Sequence, residues 1–523
     1  MGQKNGTKNF IIHGGILAMA GILVRIIGLL YRIPMVNIIT PDGNGIYGRA
    51  FEVYNIVLVM SSYGLPMAVS KLVSARVSVK QFKNAHKVFV AALIVSLVSG
   101  GIAALLMFFG ADFLEQNFYA KYPGVAIPLK VLSPTIFIVA VLGVFRGFYQ
   151  GQGTMIPTAI SQIAEQIVNA IVSIFAAYTL VKIYSGSINV GAYGAAGGTL
   201  GTALGAFAAL LFVIFLYVIY RPTFMKKLHK DVSDVDEKYT NIYKIIALTM
   251  LPIILGQTFY QISAVIDSVM WGKIMGSIGV SESVIKISMG SYDSCFMILI
   301  SLPMGVASAM SASMLPSIVA SKAKHLYSEI TTKIQATVKA NMLIAIPSAV
   351  GLIVLGKSII EALFPAYNSA DGSMMLKIGA FAVVFYTLST VTSSALQGID
   401  KMNIPVINSC ISLIVHIILV WSLLKFTNLG IYAIVIGSET FPIIIMVLNL
   451  VALYKYVGYK QELLITLGIP FICSIIMGIT SGLAYKLMMY LSDINLVALV
   501  FACAVAAIGY FLPIILFKKK GIY

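Results

Sequence analysis

Charge is what this chain lacks. Of its 523 residues only 11% are Asp, Glu, Lys or Arg, against roughly 25% in ordinary soluble domains, and mean hydropathy is +0.95. That composition excludes a large soluble protein and describes an integral membrane one. Of the charged residues the acidic ones are the scarcer, 19 against 36 Lys and Arg, leaving a net charge of +17. Cysteines number four. Cys295, Cys410, Cys473 and Cys503 lie far apart in apolar segments without CxxC spacing, which excludes a disulfide framework and a zinc site; they read as small packing residues. Catalytic signatures are missing too: HExxH, GxSxG, Walker A and paired sugar-nucleotide aspartates do not occur. No cofactor is expected. With no ATP-binding unit, active transport would draw on an ion gradient, the membrane potential, or the pull of substrate and product.

What the chain does have is long apolar runs. A bilayer-crossing helix needs about 20 such residues, and helices are the element that satisfies its own backbone in lipid. The runs predict fourteen spans, near 10–33, 47–71, 88–110, 127–149, 156–182, 196–220, 244–270, 286–316, 337–356, 375–397, 403–424, 430–454, 462–486 and 494–517. "LAMAG" at 17–21 has the look of a leader cleavage site, but the apolar run continues through Tyr31, so a retained first helix is expected. Basic residues gather on alternate connections: Lys71, Arg76, Lys80, Lys83 and Lys87; then Arg221, Lys226, Lys227, Lys230, Lys238 and Lys244; then Lys322, Lys324, Lys333 and Lys339; then Lys518, Lys519 and Lys520. Positive residues mark the cytoplasmic side, so both termini are expected there. The surplus positive charge is then a topology signal, and no nucleic-acid partner is expected.

The polar stretch 221–243 divides the chain near its middle, and the halves echo one another. "LPMAVSKLVS" (65–74) resembles "LPMGVASAMS" (302–311), and "YQGQGTMIPTAIS" (149–161) resembles "LQGIDKMNIPVIN" (396–408). The expected fold is an all-α polytopic membrane protein with two six-helix lobes related by a parallel repeat. Residues 1–220 and 244–456 form the lobes, with the linker 221–243 between them and two additional helices and a basic tail in 457–523.

Polar residues inside spans are costly and point to a partner or a cavity. In the first span Gly14, Ala18, Gly21, Arg25, Gly28 and Arg32 recur at helical spacing, forming one small-residue face that carries two cations about 10 Å apart. Arg32 either snorkels to an interface or lines a cavity; Arg25 either pairs for packing or meets an anion. Arg49 and Glu52, three residues apart, can pair with each other. Gln162, Glu165, Gln166 and Asn169 form a polar stripe along the fifth span, read as a wet lumen over interhelical glue. The seventh span has Gln257, Gln261 and Asp267. Asp293, Glu439 and His416 stand alone, each as readily a packing contact as a functional group.

The paired repeats, the QG-x-x-x-x-x-P element after the fourth and tenth spans and the two extra helices resemble the multidrug/oligosaccharidyl-lipid/polysaccharide (MOP) exporter superfamily. "GLLYRIP" (28–34), "GLPMAVSKLVS" (64–74) and "FRGFYQGQGTMIPTAISQIAEQIVN" (145–169) are similar to its polysaccharide-biosynthesis branch, which includes stage V sporulation protein B and MurJ-type lipid II flippases. The resemblance implies lobes around a cavity that opens alternately to each side. It also implies a monomer in a bacterial cell membrane and an undecaprenyl-diphosphate-linked saccharide as cargo, foremost the peptidoglycan precursor lipid II. Arg146 and Gln150, within the 145–169 stretch, join the cavity candidates. A diphosphate crossing a membrane needs cations, and arginine supplies fixed charge in a fork that fits it. Two other readings remain: a cation-coupled drug exporter of the same superfamily, and a membrane-embedded glycosyltransferase, which the short loops and the duplication disfavour.

Overall fold

A computed structural model describes residues 2–62, 64–229, 231, 236–323 and 325–519. Among these residues the chain is helical with no strand. Eleven helices are long and apolar enough to cross a membrane, or twelve if one bent pair counts as a span. The expected runs at 10–33 and 47–71 share a single such stretch, Leu23–Ser78, and the expected run at 375–397 is the bent pair Ser369–Gly379 and Ala382–Gly398, angled by 46°. The run at 244–270 is helical, within α7 below, but does not figure among the eleven.

The chain forms two compact units, Met1–Val265 and Ile266–Tyr523. The first contains α1 (Gly2–Ser62), α2 (Leu65–Ser78), α3 (Phe82–Asn117), α4 (Ala126–Gly151), α5 (Ile156–Ile183), α6 (Val190–His229) and the start of α7 (Tyr239–Ser277). Most of the polar stretch 221–243 is therefore helical. In α1, two helical segments run together across a kink at Thr40, whose φ of 63° lies in the left-handed region, between Pro34 and Pro41. Proline removes a backbone donor and crowds the preceding turn, which explains a bend here.

Lipid is as apolar as leucine, so helices in a bilayer associate by close packing rather than by the hydrophobic effect. Two glycine seams accomplish this in the first unit. On α4, Gly143, Gly147 and Gly151 follow one another at four-residue spacing and receive Pro66, Val69 and Val73 of α2; a Cβ on Gly147 would lie 2.6 Å from the Pro66 carbonyl oxygen. On α6, Gly197, Gly201 and Gly205 receive α5; a Cβ on Gly201 would lie 2.0 Å from Ser173 Oγ. Beside the first seam, Phe89, Phe148 and Tyr217 form an aromatic core with ring centroids 4.4–6.0 Å apart. Side chains such as Leu106, Phe109 and Phe175 are exposed, the outward apolar surface that lipid requires.

Acidic residues of the linker tie its end to the α2–α3 corner. Arg76 donates to both carboxylate oxygens of Glu237, Lys87 pairs with Asp236, and the Lys83 amide donates to Asp231 Oδ2 at 2.7 Å.

The second unit continues from α7 through α8 (Glu282–Ser291), a π-helical turn (Tyr292–Met297) and α9 (Ile298–Ala323). There follow α10 (Tyr327–Leu363), α11 (Ser369–Gly379), α12 (Ala382–Gly398), α13 (Asn403–Phe426) and α14 (Tyr432–Val457). A second π-helical turn (Leu464–Gly468) leads into α15 (Ile469–Ser492) and α16 (Asn495–Lys519). The last two helices dock on α10: a Cβ on Gly478 of α15 would lie 3.0 Å from Val350, and from α16 Tyr510 donates to the Leu343 carbonyl at 2.9 Å and Asn495 to that of Ser358 at 3.1 Å. Gly398, which ends α12, packs under Leu315 and Ile318 of α9. Pairing Pro66 with Pro303 matches Val73, the neighbour of Gly151, to Met310; the residues found against Gly398 lie further along α9.

Candidate functional site

Some of the polar residues expected in the first five spans meet in the first unit: those of α5 with residues of α1 and α4. Because α6 covers one side of α5 through the second glycine seam, the α5 stripe meets α1 and α4 instead. A Cβ on Gly28 of α1 would come 3.8 Å from Gln166 Oε1. Asn169 donates to the Tyr31 hydroxyl at 3.2 Å and accepts from Ser173 at 2.8 Å. From α4, Arg146 donates to Ser161 Oγ at 2.9 Å and to Glu165 Oε2 at 2.7 Å. Gln150 donates to Thr158 at 3.4 Å, one turn further along.

The arginines fall into two kinds. Arg49 is fully buried and forked onto Glu52, at 3.0 and 2.7 Å, with its guanidinium 5.6 Å from the Tyr122 ring. The pairing that their spacing predicts is present, and it neutralises the charge. Arg146 is likewise matched by Glu165. Arg25 and Arg32 carry no carboxylate partner among the described residues. Arg25 is exposed on α1. Arg32 is partly buried beside the Tyr47 ring, 5.7 Å from its centroid, and its Nε is buried with no hydrogen-bond partner. An unsatisfied buried donor on a cation costs roughly 1–3 kcal/mol or more. Arg32 therefore has unused capacity for an anionic acceptor, next to Tyr31 and the Asn169 network.

Gln162 is partly buried on α5; Gln257 and Gln261 are partly buried on α7, within the first unit. Asp267, the second residue of the second unit, belongs there. There its carboxylate oxygen Oδ1 lies 2.8 Å from His416 Nε2 of α13, and His416 Nδ1 lies 3.1 Å from the Gly437 carbonyl of α14. His416, isolated in the sequence, thus has a carboxylate partner. No spacing rule could have paired them, since 149 residues separate the two. A neighbouring network, Asn408 to Asn449 to Thr392 and Ser393, joins α13, α14 and α12 by amide and hydroxyl contacts of 2.8–3.2 Å. Asp293 falls in the first π-helical turn, and Glu439 has one buried carboxylate oxygen without a hydrogen bond. The described residues hold no cluster of three or more His, Cys, Asp or Glu suited to a metal ion.

Residues 13–322 match the family model described as Polysaccharide biosynthesis protein. The chain belongs to that family. Residues 252–422 also match the MatE model, so the two together place it in the MOP exporter superfamily. The chain is similar to the lipid II flippase MurJ of Bacillus subtilis (strain 168), 24% identical over 484 residues, 89% of this chain and 86% of the relative. It is also similar to stage V sporulation protein B of the same organism, 23% identical over 474 residues, 88% of this chain and 87% of the relative. A solved structure titled "Lipid II flippase MurJ, inward closed conformation" shares the fold, with a TM-score of 0.64 at 16% identity, covering 97% of this chain and 99% of that one. The family's relatives and fold are those of membrane transporters and flippases, not of enzymes.

Proposed function

We propose that the protein is a flippase that moves an undecaprenyl-diphosphate-linked saccharide, lipid II first among candidates, from the inner to the outer leaflet by alternating access. The observation that carries this reading is Arg32. A cation with a buried, unsatisfied Nε beside aromatic and amide groups suits a diphosphate, whose oxygens accept several charge-assisted hydrogen bonds. Support comes from family membership and from likeness to relatives named as a lipid II flippase and a sporulation protein. The reading includes fourteen spans in two six-helix lobes plus two helices, both termini cytoplasmic, a bacterial cell membrane, and action as a monomer with no nucleic-acid partner.

The test is complementation of a strain depleted of its lipid II flippase, with lipid II accessibility measured at the outer face. Wild type is expected to restore growth. Arg32→Ala, inserted at normal levels, should lose about tenfold to a hundredfold in transport, the equivalent of one charge-assisted contact of roughly 1.5–3 kcal/mol, with Arg32→Lys intermediate. Full activity of Arg32→Ala and Arg25→Ala together would end the anion-site reading. The MatE match over 252–422 favours a second reading, cation-coupled drug export. Drug resistance conferred on a sensitised host, without rescue of the flippase-depleted strain, would select it.

A further inference from the structure

Each contact of the His416 ring needs a proton, and that requirement fixes how many protons the site holds. The Gly437 carbonyl oxygen only accepts, so the 3.1 Å contact requires a hydrogen on His416 Nδ1. The 2.8 Å contact between His416 Nε2 and Asp267 Oδ1 requires a second, on the ring or on the carboxyl. A neutral imidazole beside an ionised aspartate has one proton for two contacts. Whichever tautomer is chosen, one contact would then set two lone pairs against each other.

The site is built for this arrangement. His416 is 1% exposed and Asp267 7%. A Cβ on Gly437 would lie 3.0 Å from His416 Cε1 and 2.4 Å from a Val420 methyl, so α14 admits the imidazole only because glycine stands there. The Phe441 ring closes one side, edge to face at 5.8 Å. Tyr292 of the π-helical turn faces Asp267, and Asp293 of the same turn and Tyr386 of α12 lie within electrostatic reach of Tyr292; Glu439 lies two residues beyond Gly437 on α14. With the extra proton the dyad has no net charge, whichever atom carries it. Without the proton the pair carries one more negative charge in a buried place, which desolvation opposes.

We propose that Asp267 and His416 form a proton-binding site of the transport cycle, loaded in the conformation described here and unloaded only when the site reaches water. One proton is taken from water on one side, held between Nε2 and Oδ1, and released to water on the other; no other bond forms or breaks. The protein would then draw on a proton gradient. The consequence for transport rests on the flippase reading, but proton binding does not.

Two measurements separate them. First, the full chain carrying 15N-histidine is placed in lipid nanodiscs without substrate and titrated from about pH 5 to about pH 9. The His416 signal is assigned by its loss in His416→Gln. The proposal expects a proton on Nδ1 throughout and a second proton at the dyad that leaves in one step. A ring protonated on Nε2 alone, or a His416 signal with neither a doubly protonated ring nor a pH-dependent step at Nε2 across the range, overturns it. Second, proteoliposomes containing lipid II are assayed with and without a pH gradient. Wild-type transport should change by up to about tenfold per pH unit, the limit for one linked proton. His416→Gln, whose amide can still bridge Asp267, should insert normally and lose that dependence. Gly437→Ala, which displaces the ring, should weaken it. An unchanged pH response in His416→Gln overturns the coupling. Absence of lipid II movement in wild type, with the titration as expected, removes the cargo reading and leaves the proton site standing.

Discussion

At the scale of the residue, the arginines show why identity alone does not assign a role. Arg25, Arg32, Arg49 and Arg146 share a side chain, but two are matched by carboxylates and two are not. The matched ones contribute to structure in a testable way. Removing Glu52 deprives a fully buried guanidinium of its fork, so Glu52→Ala should destabilise the folded protein by about 3–5 kcal/mol, with Glu52→Gln milder because its carbonyl still accepts. A thermal melt of the detergent-solubilised protein checks this. Glu165 is different because its pair with Arg146 is partly open, with side chains 21% and 14% exposed. Glu165→Gln should leave the melt nearly unchanged and impair transport; full transport activity would reduce the residue to a packing role. The Arg49–Glu52 pair was legible in the sequence because both residues sit within one helical turn. The Asp267–His416 pair was not, because its geometry depends on how α7, α13 and α14 assemble.

At the scale of the element, composition specified helices well and their breaks poorly. Long apolar runs locate both ends of α4 and α5 to within two residues, whereas α3 and α6 extend six to nine residues beyond the runs at 88–110 and 196–220, because a helix continues past its apolar stretch where an apolar count stops. The bend at Thr40 and the break between α11 and α12 depend on backbone choices that an apolar count does not register. Nor does such a count register how tightly two helices approach. The α5–α6 seam supplies the prediction here. Gly201→Leu would force a side chain into space occupied by Ser173 and should cost at least about 1–3 kcal/mol, the usual range for overpacking. Gly21→Ala, where a Cβ meets nothing within 4 Å, should be neutral in the same melt. Equal effects of the two substitutions would show that the seam does not hold these helices. The same seam aims the α5 stripe at α1 and α4, so Gly201→Leu should also disturb the Asn169–Tyr31 contact that adjoins Arg32.

At the scale of the whole molecule, the surplus of basic residues turns out to be partly matched. Arg76 and Lys87 hold Glu237 and Asp236, fastening the start of α7 to the first unit. The Lys87–Asp236 pair is open to water and contributes about 0–1 kcal/mol, whereas Arg76 is buried, so its pair with Glu237 also keeps a buried guanidinium matched; together they restrain one segment. Reversal of the exposed acid alone, Asp236→Lys, should speed tryptic cleavage within 221–243 beyond the effect of a matched new lysine elsewhere, with little change in the melt, whereas Glu237→Lys, which leaves the buried Arg76 without its carboxylate, should lower the melt as well. High salt should produce the same acceleration in wild type. Family membership was legible because the recognisable stretches are long and close to the chain's own packing rules. The two stretches 64–74 and 145–151 are in fact opposite sides of a single joint, proline and valine ridges of α2 set into the glycine groove of α4. Kinship in this chain is therefore read largely from its joinery. A descendant that kept the joint and altered Arg32 or its surroundings would still be counted as kin while carrying something else, so the inventory of cargoes in such a lineage has to be taken at the unsatisfied cations, one chain at a time.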